Sequence, residues 1–242
     1  MRTAAALIIG NELLSGKVVE GNLVFLAREL RGIGIQLRRV VMVLDEVDTI
    51  AAEVRALAAA HDVVFTSGGV GPTHDDLTIE GVAQAFGAPV VIAPELEQLI
   101  RGHYAERCTE GHLLMARVPE GARLVSSAAV PWPTVVMRNV WVLPGVPEVF
   151  RMKLPHIHAE LVGDAPFVSV AVFTTLDEGD LKPLLDEVVA AHREVEIGSY
   201  PKWHDPEYRT KLTFDGLDGA RVHAARDAFL GGLPAGALVR VE

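Results

Sequence analysis

The stretch Thr66 to Thr78, TSGGVGPTHDDLT, places three glycines and a proline ahead of two adjacent aspartates. Gly68, Gly69 and Gly71 can take backbone angles that other residues avoid. Without side chains they also let a ligand approach their N–H groups, and such donors at a helix entrance suit phosphate oxygens. Ser67, Pro72 and Thr73 complete the candidate ligand surface. Two carboxylates, Asp75 and Asp76, would repel a phosphate placed beside them. A hard divalent cation shared between carboxylate and phosphate oxygens removes that conflict and polarises the phosphorus for attack by water. A competing reading makes Asp76 the cap of the next helix; the two roles are compatible. Two better-known glycine motifs are absent. No G-x-x-x-x-G-K-[ST] occurs, and GVGPTH from Gly69 carries His74 where a dinucleotide fingerprint needs its third glycine.

A second group of candidates flanks the loop LLSGKVVEG. Glu12 is a candidate metal ligand or base for water; Asn22 either bonds the ligand or caps its own helix. Lys17 offsets phosphate charge or is simply solvated. Pro144, Gly145 and Pro147 form a rigid turn after a strand, a pocket wall or ordinary turn chemistry. Tyr200, Lys202 and Trp203 offer a stacking surface or lid, with simple packing as the alternative. The nine histidines show no zinc-ligand spacing; His156 and His158 are only two apart. Cys108 is the one cysteine, and with no activating neighbour in sequence it reads as structural.

These residues need elements to position them. The first part of the chain alternates strand-like and helix-like segments, the α/β signature. TAAALIIG, IQLRRVVMV and DVVFT read as buried strands, the third running directly into the glycine loop. Helices are expected after a cap at Asn22, with Leu23, Leu26, Ala27 and Leu30 on one face and Gly32 and Gly34 ending it, from Asp48 or Thr49 with Ile50, Val54 and Leu57 inward, from Thr78 to Phe86, and from Pro94 with Leu96, Leu99 and Ile100 inward. TVVM and VWVL follow as β-rich pieces, then a helix near Glu148. The pattern changes around VGDAP, Val162 to Pro166. The remainder reads βαββαβ, compatible with a ferredoxin-like fold, so domains are expected at 1–163 and 164–242. The chain has 242 residues and a net charge of -10, pI about 5.4 and mean hydropathy +0.27. The acidic balance shows no basic run for nucleic acid, and no apolar run reaches the ~20 residues of a membrane span. The N-terminal apolar stretch is too short for a secretion signal and reads as strand. One cysteine suits a reducing cytoplasm, the expected location.

Three motifs in order, GNELLSGKVVEGN, TSGGVGPTHDDLT and LPGVPE, resemble the molybdopterin-binding-like domain of molybdenum-cofactor biosynthesis proteins, CinA-type proteins and FAD synthases. VVMRNVWVLPGVPEVFR, IGSYPKW, KLTF and LPAGALV look most like the FAD-synthase version, so the resemblance covers essentially the whole chain. It implies a three-layer αβα sandwich around a mostly parallel sheet, followed by a small α+β domain. It also implies metal-dependent cleavage of a pyrophosphate such as ADP-ribose or FAD, with Mg²⁺ or Co²⁺, and K⁺ as a further candidate. By that resemblance Asp45, Asp75 and Asp76 hold the metal, and Asp45 and Asp76 occupy positions that matter in the molybdenum-cofactor proteins. Those relatives bind molybdopterin and transfer adenylate to it, the alternative function; a non-catalytic nucleotide-binding module is a third. The resemblance includes neither the reductase-like domain that makes FAD nor the CinA amidase domain, so neither activity is expected of this chain. The CinA Asn-Arg-Lys-Gln segment and Gly-x-Ala-Pro-Gly loop are replaced here by LLMARVPEGA, with Arg117 its only basic residue, and by AAVPWPTVV. The expected partner is a small nucleotide or pterin phosphate, with no nucleic acid or membrane, in a homodimer or homotrimer.

Overall fold

A computed structural model describes residues 2–128, 130–161, 163, 165–204 and 206–242. Val162 and Asp164 of the expected boundary, Ala129 of AAVPWPTVV and Asp205 beyond Trp203 lie outside the described residues. The chain forms two compact units, Met1–Asp164 and Ala165–Glu242.

In the first unit the strands are β1 (Arg2–Ile9), β2 (Ile35–Val43), β3 (Val63–Ser67), β4 (Val90–Ile92), β5 (Arg117–Pro119), β6 (Arg123–Val125), β7 (Thr134–Met137) and β8 (Val140–Leu143). The helices are α1 (Asn11–Leu14), α2 (Asn22–Gly32), α3 (Val47–Ala60), α4 (Thr78–Phe86), α5 (Pro94–Tyr104), α6 (Glu110–Leu113), α7 (Pro147–Met152) and α8 (Leu154–Glu160). The main sheet runs β2-β1-β3-β8-β7-β6. Its first four strands are parallel, and the last two are antiparallel additions.

Alternation along β1 builds the layers. Ala4, Ala6 and Ile8 pack to one face with Leu26 and Leu30 of α2, Phe150 of α7 and Ile157 of α8. Ala5, Leu7 and Ile9 pack to the other with Ile50, Val54 and Leu57 of α3 and Val82 of α4. Both faces of β1 are therefore apolar, as a sheet covered by helices on both sides requires. This is the expected three-layer sandwich. A smaller apolar cluster joins α5 to the β4-β5 pair through Leu96, Ile100 and Val118.

The chain leaves β1 for β2 on one side and crosses back to β3 on the other, with α2 and α3 on opposite faces. That reversal makes the β1/β3 crevice a topological switch point, where open α/β sheets bind ligands beyond the carboxyl ends of their strands. The register levels those ends: Ile9 pairs with Val43, Ile8 with Ser67, and Ser67 with Leu143. Four loops thus leave the sheet at one edge.

Some local expectations are corrected. Helix α3 begins at Val47 after Glu46, earlier than Asp48 or Thr49. Leu99 is exposed at 38% while Leu96 and Ile100 are buried. Helix α4 ends in a left-handed Gly87 as its composition suggests. Strands β4, β5 and β6, three residues each, were not legible, because such short runs carry no period.

The second unit contains β9 (Val168–Thr174), α9 (Glu178–Ala191), β10 (Glu196–Pro201), β11 (Thr210–Gly216), α10 (Gly219–Gly232) and β12 (Leu238–Val241). Its antiparallel sheet runs β10-β11-β9-β12, the strand order of a ferredoxin-like βαββαβ unit. Val172, Leu212, Phe214, Val222 and Phe229 form its core. Asp177 and Asp218 cap α9 and α10 by accepting from helix amides. Among the described residues of the chain, no helix is long and apolar enough to cross a membrane.

Candidate functional site

The glycine loop is shaped by close approach. Gly68 has φ of +108°, and a Cβ there would lie 2.1 Å from the Ile9 carbonyl oxygen. Any other residue would be strained and blocked at once. Its N–H donates to Leu143 O at 3.2 Å. The Pro144-Gly145 turn lies just beyond, where a Cβ on Gly145 would come within 3.2 Å of Gly68 Cα. The loop is then tied to α4: Thr78 N donates to Gly69 O at 2.9 Å, and Thr78 Oγ1 to Gly68 O at 2.7 Å. Among the described residues the amides of Gly69, Val70 and Gly71 donate to no protein acceptor, which leaves them for an anion or solvent.

Asp76 does not cap α4, whose N-cap is Leu77 with no side-chain bond. Its Oδ2 accepts from Thr73 N at 2.8 Å and from the Thr73 hydroxyl. That closes the loop and leaves Oδ1 for another partner. The Thr73 side chain and its own backbone amide hold the Asp75 carboxyl below the usual carboxylate range. Asp45, just past β2, accepts from Asn11 N at 2.8 Å, while its own amide donates to Asn11 Oδ1. Burial pushes the Asp45 carboxyl up; the Asn11 N–H opposes this, and the negative charges of Glu12, Asp75 and Asp76 add to the rise. These four carboxylates therefore feel one another. They do not form a closed cage: among the described residues no three His, Cys, Asp or Glu side chains are gathered to hold a metal ion. The expected set of Asp45, Asp75 and Asp76 is not preassembled by the fold alone.

Asn22 is a buried brace. Its Nδ2 donates to Ser67 Oγ at 3.0 Å and to Gly145 O at 2.8 Å, linking the start of α2 to two of the site loops. Capping falls to Glu20, whose carboxylate accepts from the amides of Asn22 and Leu23. Ser67 is engaged behind the loop, donating to Pro144 O at 3.4 Å.

These loops border a cleft of about 850 Å³. Gly68, Gly69, Gly71, Asp76, Glu12, Pro144 and Gly145 line it. Ser67, Pro72, Thr73, Asn22, Asp45 and Asp75 are not among its walls. The apolar and aromatic part of the lining comes from Tyr104, Met115, Trp132, Val146 and Met152. Trp132 stands edge-on to His103, their ring centroids 6.1 Å apart. Arg117 also reaches the cleft, but its guanidinium is engaged by the Glu80 carboxylate and by Leu114 O.

Lys153 went unnoticed in the sequence. It sits at the joint between α7 and α8, 5% exposed, and lines the cleft. Its ammonium donates to Trp132 O at 2.5 Å and Pro133 O at 2.8 Å. Burial lowers it from 10.5 to about 8. No local pattern in FRMKLPHI could have revealed that environment. His156, one turn on, is fully buried. Its Nε2 pairs with Val130 O and its Nδ1 with Thr134 Oγ1, both at 2.9 Å. In the other unit Tyr200 is 54% and Trp203 85% exposed.

Fold and cleft together define an open α/β protein with an anion-suited loop at its switch point. Residues 5–162 match the family model described as a probable molybdopterin binding domain, and the chain belongs to that family. Residues 166–242 match the model described as the middle domain of FAD synthase. The chain is 32% identical to a probable FAD synthase of Caenorhabditis briggsae, over 94% of this chain and 49% of that protein. It is 33% identical to a protein of Archaeoglobus fulgidus, over 91% of this chain and 93% of that one. Among solved structures, a CinA protein of unknown function from Thermoplasma acidophilum aligns with TM-score 0.61 and 32% identity, over 66% of this chain and 99% of that one. The chain spans about half the length of the FAD synthases it matches.

Proposed function

We propose that the chain is a metal-dependent nucleotide pyrophosphohydrolase acting on compounds such as ADP-ribose or FAD. The observation that carries this reading is the mixed lining of one cleft. The glycine loop with its unengaged amides and Asp76 line it together with Trp132, Tyr104 and Met115. A pyrophosphate esterified to an aromatic heterocycle has that same mixture.

In this reading the amides of Gly69, Val70 and Gly71 hold phosphoryl oxygens and orient the anhydride. Thr73 keeps Asp76 Oδ2 occupied, which leaves Oδ1 for a cation. Glu12, folded over Gly10, is the base placed to take a proton from water. The residues fit a hard cation held by one or two carboxylates plus substrate oxygens, as Mg²⁺ sites commonly are. Asp76 and Asp45, with Asp75, are the candidate holders. When bound, the cation neutralises developing charge on the phosphoryl oxygens and makes phosphorus more electrophilic.

The test is AMP release from ADP-ribose and FAD with Mg²⁺ or Co²⁺. Turnover by the wild type and its loss in Asp76→Ala support the reading. No AMP from either substrate with any metal removes it. A second reading, binding of a pterin phosphate with adenylyl transfer, is favoured by the description of the matching family model and by an aromatic wall that suits a pterin equally. Molybdopterin binding without pyrophosphate cleavage distinguishes it.

A further inference from the structure

Among the described residues Lys153 has no anionic partner. The chain is acidic, and Asp76 and Glu12 line the same cleft. Yet among the described residues the ammonium bonds only to the backbone oxygens of Trp132 and Pro133. Arg117, the other cation of the cleft, is already paired with Glu80. A buried cation without a counter-charge is costly, and folds retain such groups where a ligand completes them.

We infer that Lys153 is the anion-recognition residue of the cleft, its ammonium taking a phosphoryl oxygen of a nucleoside phosphate. The two carbonyls use two of its three N–H donors, which leaves the third for the ligand. The carbonyls also fix where the nitrogen sits, so the ammonium meets the phosphate without being reordered. The inference rests on the nucleotide-phosphate reading of this cleft and adds a residue, and a pH response, that the motifs do not contain.

The lowered titration of Lys153, about 8, turns that contact into a measurable coupling. The charged and titratable groups around the same cleft are Glu12 from α1, Asp76 from the glycine loop, His103 and Tyr104 from α5, and the Arg117–Glu80 pair from β5 and α4. A phosphate dianion arriving beside the ammonium favours its protonated form. Above pH 8 the complex therefore takes up a proton as it forms.

A simpler role competes. Lys153 could merely pin residues 132 and 133, as His156 pins 130 and 134. The two roles separate by calorimetry on the full chain with AMP, inorganic phosphate and adenosine, with and without Mg²⁺, at pH 8.5, in two buffers of different ionisation enthalpy. Expected for the wild type is binding of AMP and phosphate with uptake of a fraction of a proton. Lys153→Met weakens both on the order of ten- to a hundredfold, the scale of a charged hydrogen bond. Adenosine affinity stays unchanged, and Lys153→Arg restores part of the phosphate affinity. Three results overturn the inference: no binding of either phosphate probe to the wild type with or without Mg²⁺, binding without proton uptake, or equal weakening of AMP and adenosine in Lys153→Met. If Lys153→Met does not fold, the proton uptake of the wild type decides alone. Lys153-dependent phosphate binding without AMP release leaves this inference standing and removes the hydrolase reading. Turnover with binding indifferent to Lys153 does the reverse.

Discussion

Replacing Lys153 by methionine changes how stability responds to pH, and the size of the change follows from its burial. The lysine is 5% exposed, and its titration falls from 10.5 to about 8 in the folded chain. Between those values the unfolded chain holds this proton and the folded chain does not, so the contribution of Lys153 to wild-type stability rises with pH across that window. The burial penalty is full below pH 8 and is relieved as pH climbs toward 10.5. At about 1.36 kcal/mol per pH unit of separation the whole span is about 3 kcal/mol, of which about 2.5 is expressed by pH 10. Methionine has similar length and no titration. Its other effects, chiefly loss of donors to Trp132 O and Pro133 O, do not depend on pH and cancel in a double difference. Melting temperatures of wild type and Lys153→Met are measured at pH 7 and pH 10. The wild type gains on the variant between the two, by roughly 5–10 °C for a chain of this size. An identical gap at both pH values would refute the reasoning, because the lysine would then carry its charge in the fold without penalty.

Gly68→Ala destabilises the first unit by about 3 kcal/mol or more, since the new Cβ meets the Ile9 carbonyl in a left-handed backbone; denaturant unfolding measures it. Asp76→Asn keeps an oxygen for Thr73 N and so keeps the loop, but removes the charge. AMP release is expected to fall about 100-fold or more with melting within about 1 kcal/mol of wild type, and a variant of normal activity argues against the site assignment. His156→Phe strands the Thr134 hydroxyl and Val130 O, costing about 2–4 kcal/mol by thermal unfolding. Trp203→Ala, at an 85% exposed position, leaves stability within about 0.5 kcal/mol, so any loss of turnover in that variant marks a role in ligand contact.

The sandwich and the glycine loop were legible because both are written locally. Short continuous apolar runs in β1 and β3, inward-facing Ile50, Val54 and Leu57, and the closing Gly87 each express a burial pattern or a backbone need that neighbouring residues reveal. The same holds for the ordering βαββαβ in the second unit. The uses of individual polar residues were not local. Asn22 and Asp76 both read as helix caps, yet Glu20 caps α2, Asn22 braces Ser67 and Gly145, and Asp76 closes its own loop. A polar side chain beside a helix start has several acceptors and donors within reach, and only the arrival of distant segments selects among them. Lys153 is the extreme case. Its titration is lowered by burial, in a site that residues 132 and 133, some twenty positions away in sequence, help to form. Composition and spacing therefore determined the layers and the anion-suited loop. The tertiary structure decided the strand order that makes the switch point, and which charges are paired and which are buried against carbonyl oxygens, because those contacts join segments distant in sequence.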